Sequence, residues 1–370
     1  MKVILTGGCT GGHIYPALAI GDKFREKNPD NEVIYVAHQY GLETKIVPAA
    51  GYELKIVTAQ WFDRSNPVRL IKTVVETLKG RSEAYKIMKQ FKPDVVMSTG
   101  SFVSVPVVLA AAKAGVPVFI HEQNAFPGIS NRLLSRYAKK VFLGFNGGHE
   151  YFKEQDKLMY SGNPVRKEFY GRDRAEDRQK LEIPENDFVV MIFGGSLGSD
   201  AINEIGYSLA KEYSGKPGVT VLWGTGREYY DDVQKNLAEN GLSDASNIRV
   251  SAYINDMPSV ISASNLVISR SGALSVAETT MVGRAAIFVP SPNVTADHQY
   301  HNAKSVADEG GAIIVREDGN TSAIVIEAVK ELEGDREKLA EMEEASAKLA
   351  PVNATELIYN EIMKELECNR

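Results

Sequence analysis

Hydrophobic positions fall into short runs rich in β-branched residues, separated by longer stretches of helical period. In the first half the runs are Val3–Thr6, Val33–Ala37, Asp94–Ser98, Val118–His121 and Val141–Gly144. In the second half they are Phe188–Phe193, Val219–Trp223, Leu266–Ser269 and Ala286–Val289. Ala17–Lys27 and Val68–Lys79 carry apolar residues at helical spacing between them. Strands that are apolar at nearly every position are buried on both faces, and their alternation with helices puts them in parallel sheets. The fold class is therefore α/β.

The pattern restarts near residue 188. Each half opens with a hydrophobic strand, a glycine loop and a helix: VILTGGCTGGHIYPALAI, then VVMIFGGSLGSDAINEI. Two Rossmann-like domains, their parallel sheets facing across a cleft, are the simplest arrangement, and ligands then sit at the carboxyl ends of the strands. A length of 370 residues agrees with two domains of roughly 100–200 residues each. We place the boundaries at 1–163, 164–345 and 346–370. Tyr160–Arg178, with its charged tail RKEFYGRDRAEDR, reads as an interdomain linker. Thr355–Leu366 reads as a helix packing back onto the first domain.

Three segments place glycines or small residues where a strand gives way to a helix. Gly7–His13 reads GGCTGGH. Its glycines let the backbone approach a ligand, and the helix N-terminus offers free amides to an anion. The spacing is neither GxGxxG nor GxxxxGK[ST], which argues against a dinucleotide cofactor or a P-loop. A tight turn without a ligand is the alternative. His13 ends this loop, where it is either a general base or a capping residue. Phe193–Ser199 reads FGGSLGS; Ser196 and the amides after it either hold a pyrophosphate or form a structural turn. Ser269–Glu278 reads SRSGALSVAE. Glu278, about two turns into its helix, either binds ribose hydroxyls or is a solvated charge.

Two polar segments also follow strands: STGSFVS at Ser98–Ser104 and HEQN at His121–Asn124. Four consecutive polar residues after a buried strand either line a site, with Asn124 donating to sugar hydroxyls, or close a hydrogen-bonded loop. There is no Asp-x-Asp pair and no HExxH, and we expect neither a metal nor a cofactor. His298 and His301 stand at i, i+3, a spacing that is more often coincidence than a ligand pair.

Charge and composition narrow the partners. The formal net charge of −6 argues against nucleic acid. Two cysteines, Cys9 and Cys368, make no disulfide framework, so a reducing cytosol is the default compartment. We read no signal peptide, and no apolar run reaches the ~18 residues of a membrane-spanning helix; Val103–Ile120 is broken by Pro106, Lys113 and Pro117. Membrane contact is then peripheral. The segment Trp61–Lys92 is basic and carries Val68, Leu70, Ile71, Val74, Val75 and Leu78. It fits equally a helix lying on an anionic bilayer and one facing a core.

The blocks TGGCTGGHIYPALAI, FKPDVV, HEQNAFPGISNRLL, SGNPVR, GGSLG, RSGALSVAE and DHQYHNA, in this order, resemble glycosyltransferase family 28. The resemblance implies a GT-B fold: an acceptor- and membrane-binding N-terminal domain and a C-terminal domain for UDP-N-acetylglucosamine (UDP-GlcNAc). It implies transfer of GlcNAc to undecaprenyl-pyrophosphoryl-MurNAc-pentapeptide (lipid I), on the cytoplasmic side of a cell membrane with anionic phospholipid. Related transferases with another lipid acceptor, UDP-sugar epimerases and non-catalytic nucleotide-sugar binding proteins are the rival readings. Motif by motif, Thr10, Gly11, Gly12 and Asn124 would meet the reacting sugars, and His13 would be the base. Arg166 and Ser196 would lie near the nucleotide and its phosphates. Ile254 would meet uracil, Ala273, Leu274 and Ser275 would present amides to the donor, Glu278 would bind ribose and Gln299 would bind GlcNAc. Three places depart from the family pattern: Cys9 stands where a smaller residue or glycine is expected, Ser101 where a glycine is expected, and WFDRS follows Gln60 where a basic stretch is expected.

Overall fold

Every strand among the described residues runs parallel to its neighbours, in two sheets whose common six strands follow one order. The computed structural model describes residues 1–61, 67–195, 197–350 and 353–368, the side chains of 67–70 excepted. The first sheet holds β1 (Lys2–Thr6), β2 (Glu32–Ala37), β3 (Glu53–Ile56), β4 (Val95–Ser98), β5 (Val118–Glu122), β6 (Lys140–Leu143) and β7 (Leu158–Tyr160). Its order is β3-β2-β1-β4-β5-β6-β7. The second holds β8 (Phe188–Phe193), β9 (Val219–Gly224), β10 (Ile248–Ser251), β11 (Leu266–Ser269), β12 (Ala285–Phe288) and β13 (Ala312–Ile314), in the order β10-β9-β8-β11-β12-β13. Each sheet thus has a switch point beside its first strand, β1/β4 and β8/β11, where the chain reverses its direction of travel across the sheet.

Both faces of the first sheet are covered. Val3, Leu5, Tyr35, Val95 and Met97 pack in one cluster with Ile14, Phe24, Ile358 and Ile362. Ile4, Ile34, Val36, Val96 and Ile120 point the other way and pack with Ala84, Met88, Val107 and Ala111. Alternate residues of one strand serve opposite cores, so β1 is apolar at nearly every position.

The chain divides into unit 1, Met1–Val165 with Val352–Arg370, and unit 2, Arg166–Pro351. The crossing falls at Val165/Arg166. The charged tail expected to be a linker is folded into unit 2. Phe169 is buried, Arg172 pairs with Asp177, and Arg178 donates to the Ala263 carbonyl and to Asn265 Oδ1. The return crossing comes after residue 350 rather than at 346, because the helix Arg336–Lys348 buries Leu339 and Met342 in the unit 2 core. The helix Ala354–Glu367 belongs to unit 1, where it covers the same sheet face as the helix Gly11–Lys27.

The strands expected from sequence all form. Four edge or outlying strands, β3, β7, β10 and β13, escape the pattern because they are short and partly exposed.

Candidate active site

In unit 1 the loops after β1 and β4 meet at the switch point. The first loop turns into the helix Gly11–Lys27, capped at Thr10 without a side-chain bond; the His13 amide donates to the Thr10 carbonyl, and the Gly11 and Gly12 amides have no intrahelical acceptor. Gly7 is confined by its neighbour: a Cβ there would run into Thr99 Oγ1. His13 lies in the first turn of this helix, partly buried. Its Nδ1 sits 2.7 Å from the Thr99 carbonyl oxygen and 2.9 Å from Gln123 Oε1. A carbonyl can only accept, so Nδ1 carries the proton and Nε2 is left with a lone pair. That is the form in which an imidazole can take a proton from a hydroxyl.

The HEQN segment is divided in its roles. Glu122 is buried and ties the loop after β5 together: Oε1 accepts from the Asn124 backbone amide, Oε2 from the Gly128 amide and from Asn131 Nδ2. Asn163 Nδ2 holds the Gln123 carbonyl at 3.0 Å. Asn124 is thereby presented at the loop next to Gln123, partly exposed.

In unit 2 the loop after β8 and the segment after β11 flank the second switch point and bound a cavity of about 410 Å³. Gly194, Gly195, Gly198, Ser275 and Gln299 line it. Gly198 adopts φ +87° with the Thr225 carbonyl and the Tyr229 ring against it, so no side chain fits there. The helix Asp200–Tyr213 starts at Ser199, whose hydroxyl accepts from Arg270 Nε (3.1 Å) and Nη2 (2.8 Å) rather than capping the helix. Arg270 also donates to the Val289 carbonyl and pairs with Glu317 at 2.6 Å. The result is a concave patch of glycine backbone and helix N-termini, which favour an anion, with the Arg270 guanidinium paired to Glu317 and with Asp200 also in the lining.

Of the residues expected from sequence, Thr10, Gly11, Gly12 and His13 stand together in unit 1 with Asn124 beside Gln123. In unit 2, Ala273, Leu274 and Ser275 form the first turn of the helix Ala273–Met281. Ser275 and Gln299 line the cavity, and Gln299 Oε1 accepts from the Ser291 amide at 2.9 Å. Ala273, Leu274, Ile254, Glu278 and Arg166 do not line it. Ile254 instead covers Gly224 at the end of β9, where its Cδ1 comes within 2.8 Å of a Cβ built on that glycine. Glu278 and Arg166 face one another, Nη2 to Oε1 at 3.8 Å, with the glutamate side chain 16% exposed. Burial pushes its carboxyl up to about 7, and the Arg166 charge draws it part of the way back. Glu278 is thus a mostly buried side chain facing Arg166 rather than a fully solvated charge. Ser196 lies outside the described residues. Arg270, Ser199, Thr99 and Gln123 were not singled out. A charged residue directly after the fully buried strand β11 is the available signal for Arg270.

Among the described residues no group of three or more His, Cys, Asp or Glu side chains is placed to hold a metal ion, and His298 Nδ1 is 3.0 Å from the Thr295 carbonyl.

Two parallel α/β units of one strand order, each with a glycine loop at its switch point, define the GT-B architecture of nucleotide-sugar enzymes. The N-terminal domain of glycosyltransferase family 28 matches residues 3–143 and the C-terminal domain of that family matches residues 189–358. The UDP-N-acetylglucosamine–N-acetylmuramyl-(pentapeptide) pyrophosphoryl-undecaprenol N-acetylglucosamine transferase of Acetivibrio thermocellus is 38% identical, over 100% of this chain and 99% of its own. The protein of the same name from Lactococcus lactis subsp. cremoris is 41% identical, over 99% of each chain. Among solved structures, MurG of Acinetobacter baumannii superposes with a TM-score of 0.78 at 30% identity, covering 98% of this chain and 99% of that one. A UDP-GlcNAc 2-epimerase from Neisseria meningitidis, 17% identical with a TM-score of 0.68 over 98% of this chain and 100% of its own, shares the fold. The chain belongs to glycosyltransferase family 28, in the MurG group of N-acetylglucosamine transferases.

Proposed function

We propose that this protein transfers GlcNAc from UDP-GlcNAc to the C4 hydroxyl of the MurNAc unit of undecaprenyl-pyrophosphoryl-MurNAc-pentapeptide, making lipid II for peptidoglycan. One observation carries this reading: the full-length likeness, at 38–41% identity, to relatives named for that donor and that acceptor.

The residues supply a consistent mechanism. Unit 2 takes the donor. The amides around Gly194–Ser199, with Ser196, and those of Ala273, Leu274 and Ser275 face its diphosphate. Arg166 stands near the nucleotide, Ile254 meets uracil, Glu278 the ribose and Gln299 the GlcNAc hydroxyls. Unit 1 takes the acceptor, with Thr10, Gly11, Gly12 and Asn124 at the reacting sugars. The acceptor C4 oxygen forms a bond to the anomeric carbon as the bond from that carbon to the UDP phosphate oxygen breaks. UDP leaves with the electron pair, the C4 proton passes to His13 Nε2, and a single displacement turns an α-linked donor into a β product. Helix N-termini stabilise the charge that grows on the leaving diphosphate.

No helix among the described residues is long and apolar enough to cross a membrane. We place the acceptor-bearing face on anionic phospholipid at the cytoplasmic side of the cell membrane. Support comes from the helix Pro67–Phe91, on which Ile71, Val74, Val75 and Leu78 are exposed along one stripe beside Lys72 and Lys79, while Thr73, Ala84 and Met88 are buried. Exposed Trp61 precedes it. Val68 and Leu70 fall outside the described side chains, as does Asp63 of the WFDRS segment.

Incubation with labelled UDP-GlcNAc and a short-chain lipid I analogue should give a β-linked disaccharide lipid and UDP. Label recovered as a 2-epimer of the donor without any acceptor would instead make the protein an epimerase.

A further inference from the structure

His13 is held by more than one carbonyl. Gln123 bridges it to a second, fully buried histidine, His121, in the same unit. Three backbone carbonyls set the direction of every bond in this chain, because a carbonyl only accepts. The Gly162 carbonyl lies 3.0 Å from His121 Nε2, so that nitrogen bears the proton and Nδ1 is bare. The His121 carbonyl lies 3.0 Å from one end of the Gln123 amide, so that end is Nε2, and it also donates to His121 Nδ1 at 3.0 Å. The amide's other end is then Oε1, facing His13 Nδ1 at 2.9 Å, and the Thr99 carbonyl at 2.7 Å requires that same Nδ1 to donate.

We infer that His121 and Gln123 are positioning residues: a one-directional hydrogen-bond chain, running from His13 through Gln123 and His121 to the Gly162 carbonyl, fixes His13 with Nδ1 protonated and Nε2 bare. The chain cannot run backwards while His121 stays neutral. Burial, reinforced by the nearby His13, holds its imidazole down to about 4 despite the Gly162 bond, so Nδ1 remains an acceptor near neutral pH. As His13 gains a proton at Nε2, Thr99 O and Gln123 Oε1 already point at Nδ1–H and need no rearrangement to solvate the imidazolium. Asn163, on the Gln123 carbonyl, and Glu122, on the loop beyond, hold the backbone in register.

This inference rests on the reading of His13 as the base, and two readouts separate the two. Ring nitrogen shifts of the full-length protein labelled with nitrogen-15, assigned with His13→Gln and His121→Phe, should show Nδ1 protonated at His13 and Nε2 protonated at His121. Gln123→Met should shift the His13 signals towards a mixture of tautomers. It should lower kcat roughly tenfold, the effect of one hydrogen bond to a charged group, and leave the KM for UDP-GlcNAc within about twofold. His121→Phe should move the same signals less far, since the His121 carbonyl still holds the amide. If that buried substitution prevents folding, Gln123→Met decides alone. Wild-type His13 with Nε2 protonated overturns the inference. So do unchanged His13 signals in every folded variant, which would mean that the Thr99 carbonyl alone sets the tautomer. Altered signals with unchanged kcat leave the relay standing and remove His13 from the chemistry.

Discussion

Two residues of the loops after β1 and β4 sit in a conformation made for glycine. Cys9 has φ +71° and Ser101 φ +73°. They also touch, with Ser101 Oγ 3.6 Å from Cys9 Sγ, while the Cys9 amide donates to Glu43 at 3.0 Å. Burial pushes the Cys9 thiol up, which keeps it protonated and inert. A left-handed conformation costs a non-glycine residue roughly 1–2 kcal/mol, and glycine adds about 0.5–1 kcal/mol of unfolded-state entropy. Ser101→Gly should therefore stabilise by at most about 1 kcal/mol, and Ser101→Val, whose branched Cβ is worse off there, should destabilise by about 2 kcal/mol. Urea unfolding measures both, and a less stable glycine variant would contradict the account.

Also at the residue scale, His13→Ala should lower turnover by roughly 10²–10⁴-fold if its Nε2 takes the acceptor proton. A loss below about threefold in the lipid I assay would remove it as base. Glu278 gives a pH signature. Burial pushes its carboxyl up to about 7, and in the proposed ribose role it is the ionised form that would accept two ribose hydroxyls. Donor affinity should then rise as pH increases from 6 to 8, and Glu278→Gln should flatten the slope. Calorimetric titration with UDP tests this, and an affinity that falls over that range would count against the ribose role.

At the element scale, the helix Pro67–Phe91 turns its apolar stripe outward, which counts against the core-facing reading of its sequence. Periodicity showed an apolar stripe but not which way it faced. In the fold Thr73, Gly80, Ala84 and Met88 turn inward, so Ile71, Val74, Val75 and Leu78 are left outside, Ile71 at 67% and Val75 at 57% exposure. A contiguous exposed apolar stripe flanked by lysines marks an interaction surface. Ile71→Asp with Val75→Asp should reduce binding to vesicles containing anionic lipid without lowering the unfolding midpoint, since neither side chain is in a core. Sedimentation with vesicles measures it, and unchanged binding would move the membrane contact elsewhere. The same helix shows why a local pattern stops short. Its apolar stripe ended at Leu78 by sequence, but the helix continues to Phe91 because Ala84 and Met88 have a core to enter.

At the scale of the whole molecule, the chain leaves unit 1 at Val165 and returns to it for its last helix. Ile358 and Ile362 are wholly buried there with Phe24, whose ring meets Tyr359 edge-on at 5.0 Å. Lys23 and Lys140 add surface pairs to Glu356 and Glu361. Such pairs contribute about 1 kcal/mol at most, so the helix is held chiefly by its apolar face. Ile362→Ala should cost about 2–5 kcal/mol of unit 1 stability. If UDP binds unit 2, it should raise the unfolding temperature of unit 2 and leave that of unit 1 in the Ile362→Ala variant unchanged. Calorimetric unfolding in the presence of UDP tests the separation.

The sequence by itself settled the strands that are apolar on both faces, the glycine loops after β1 and β8, and the restart that makes two units of one topology. These are local signals: a strand buried on two sides must be apolar throughout, and a strand-to-helix turn around an anion needs glycine. His13 and Ser275 were legible for the same reason, as parts of such turns. Only the tertiary structure decided which proton His13 carries, that Glu278 is buried against Arg166, that Arg270 is pinned between Ser199 and Glu317, and that Cys9 meets Ser101. Each of these depends on residues tens of positions apart brought together by strand order, and no periodicity or spacing records where a buried carbonyl will point.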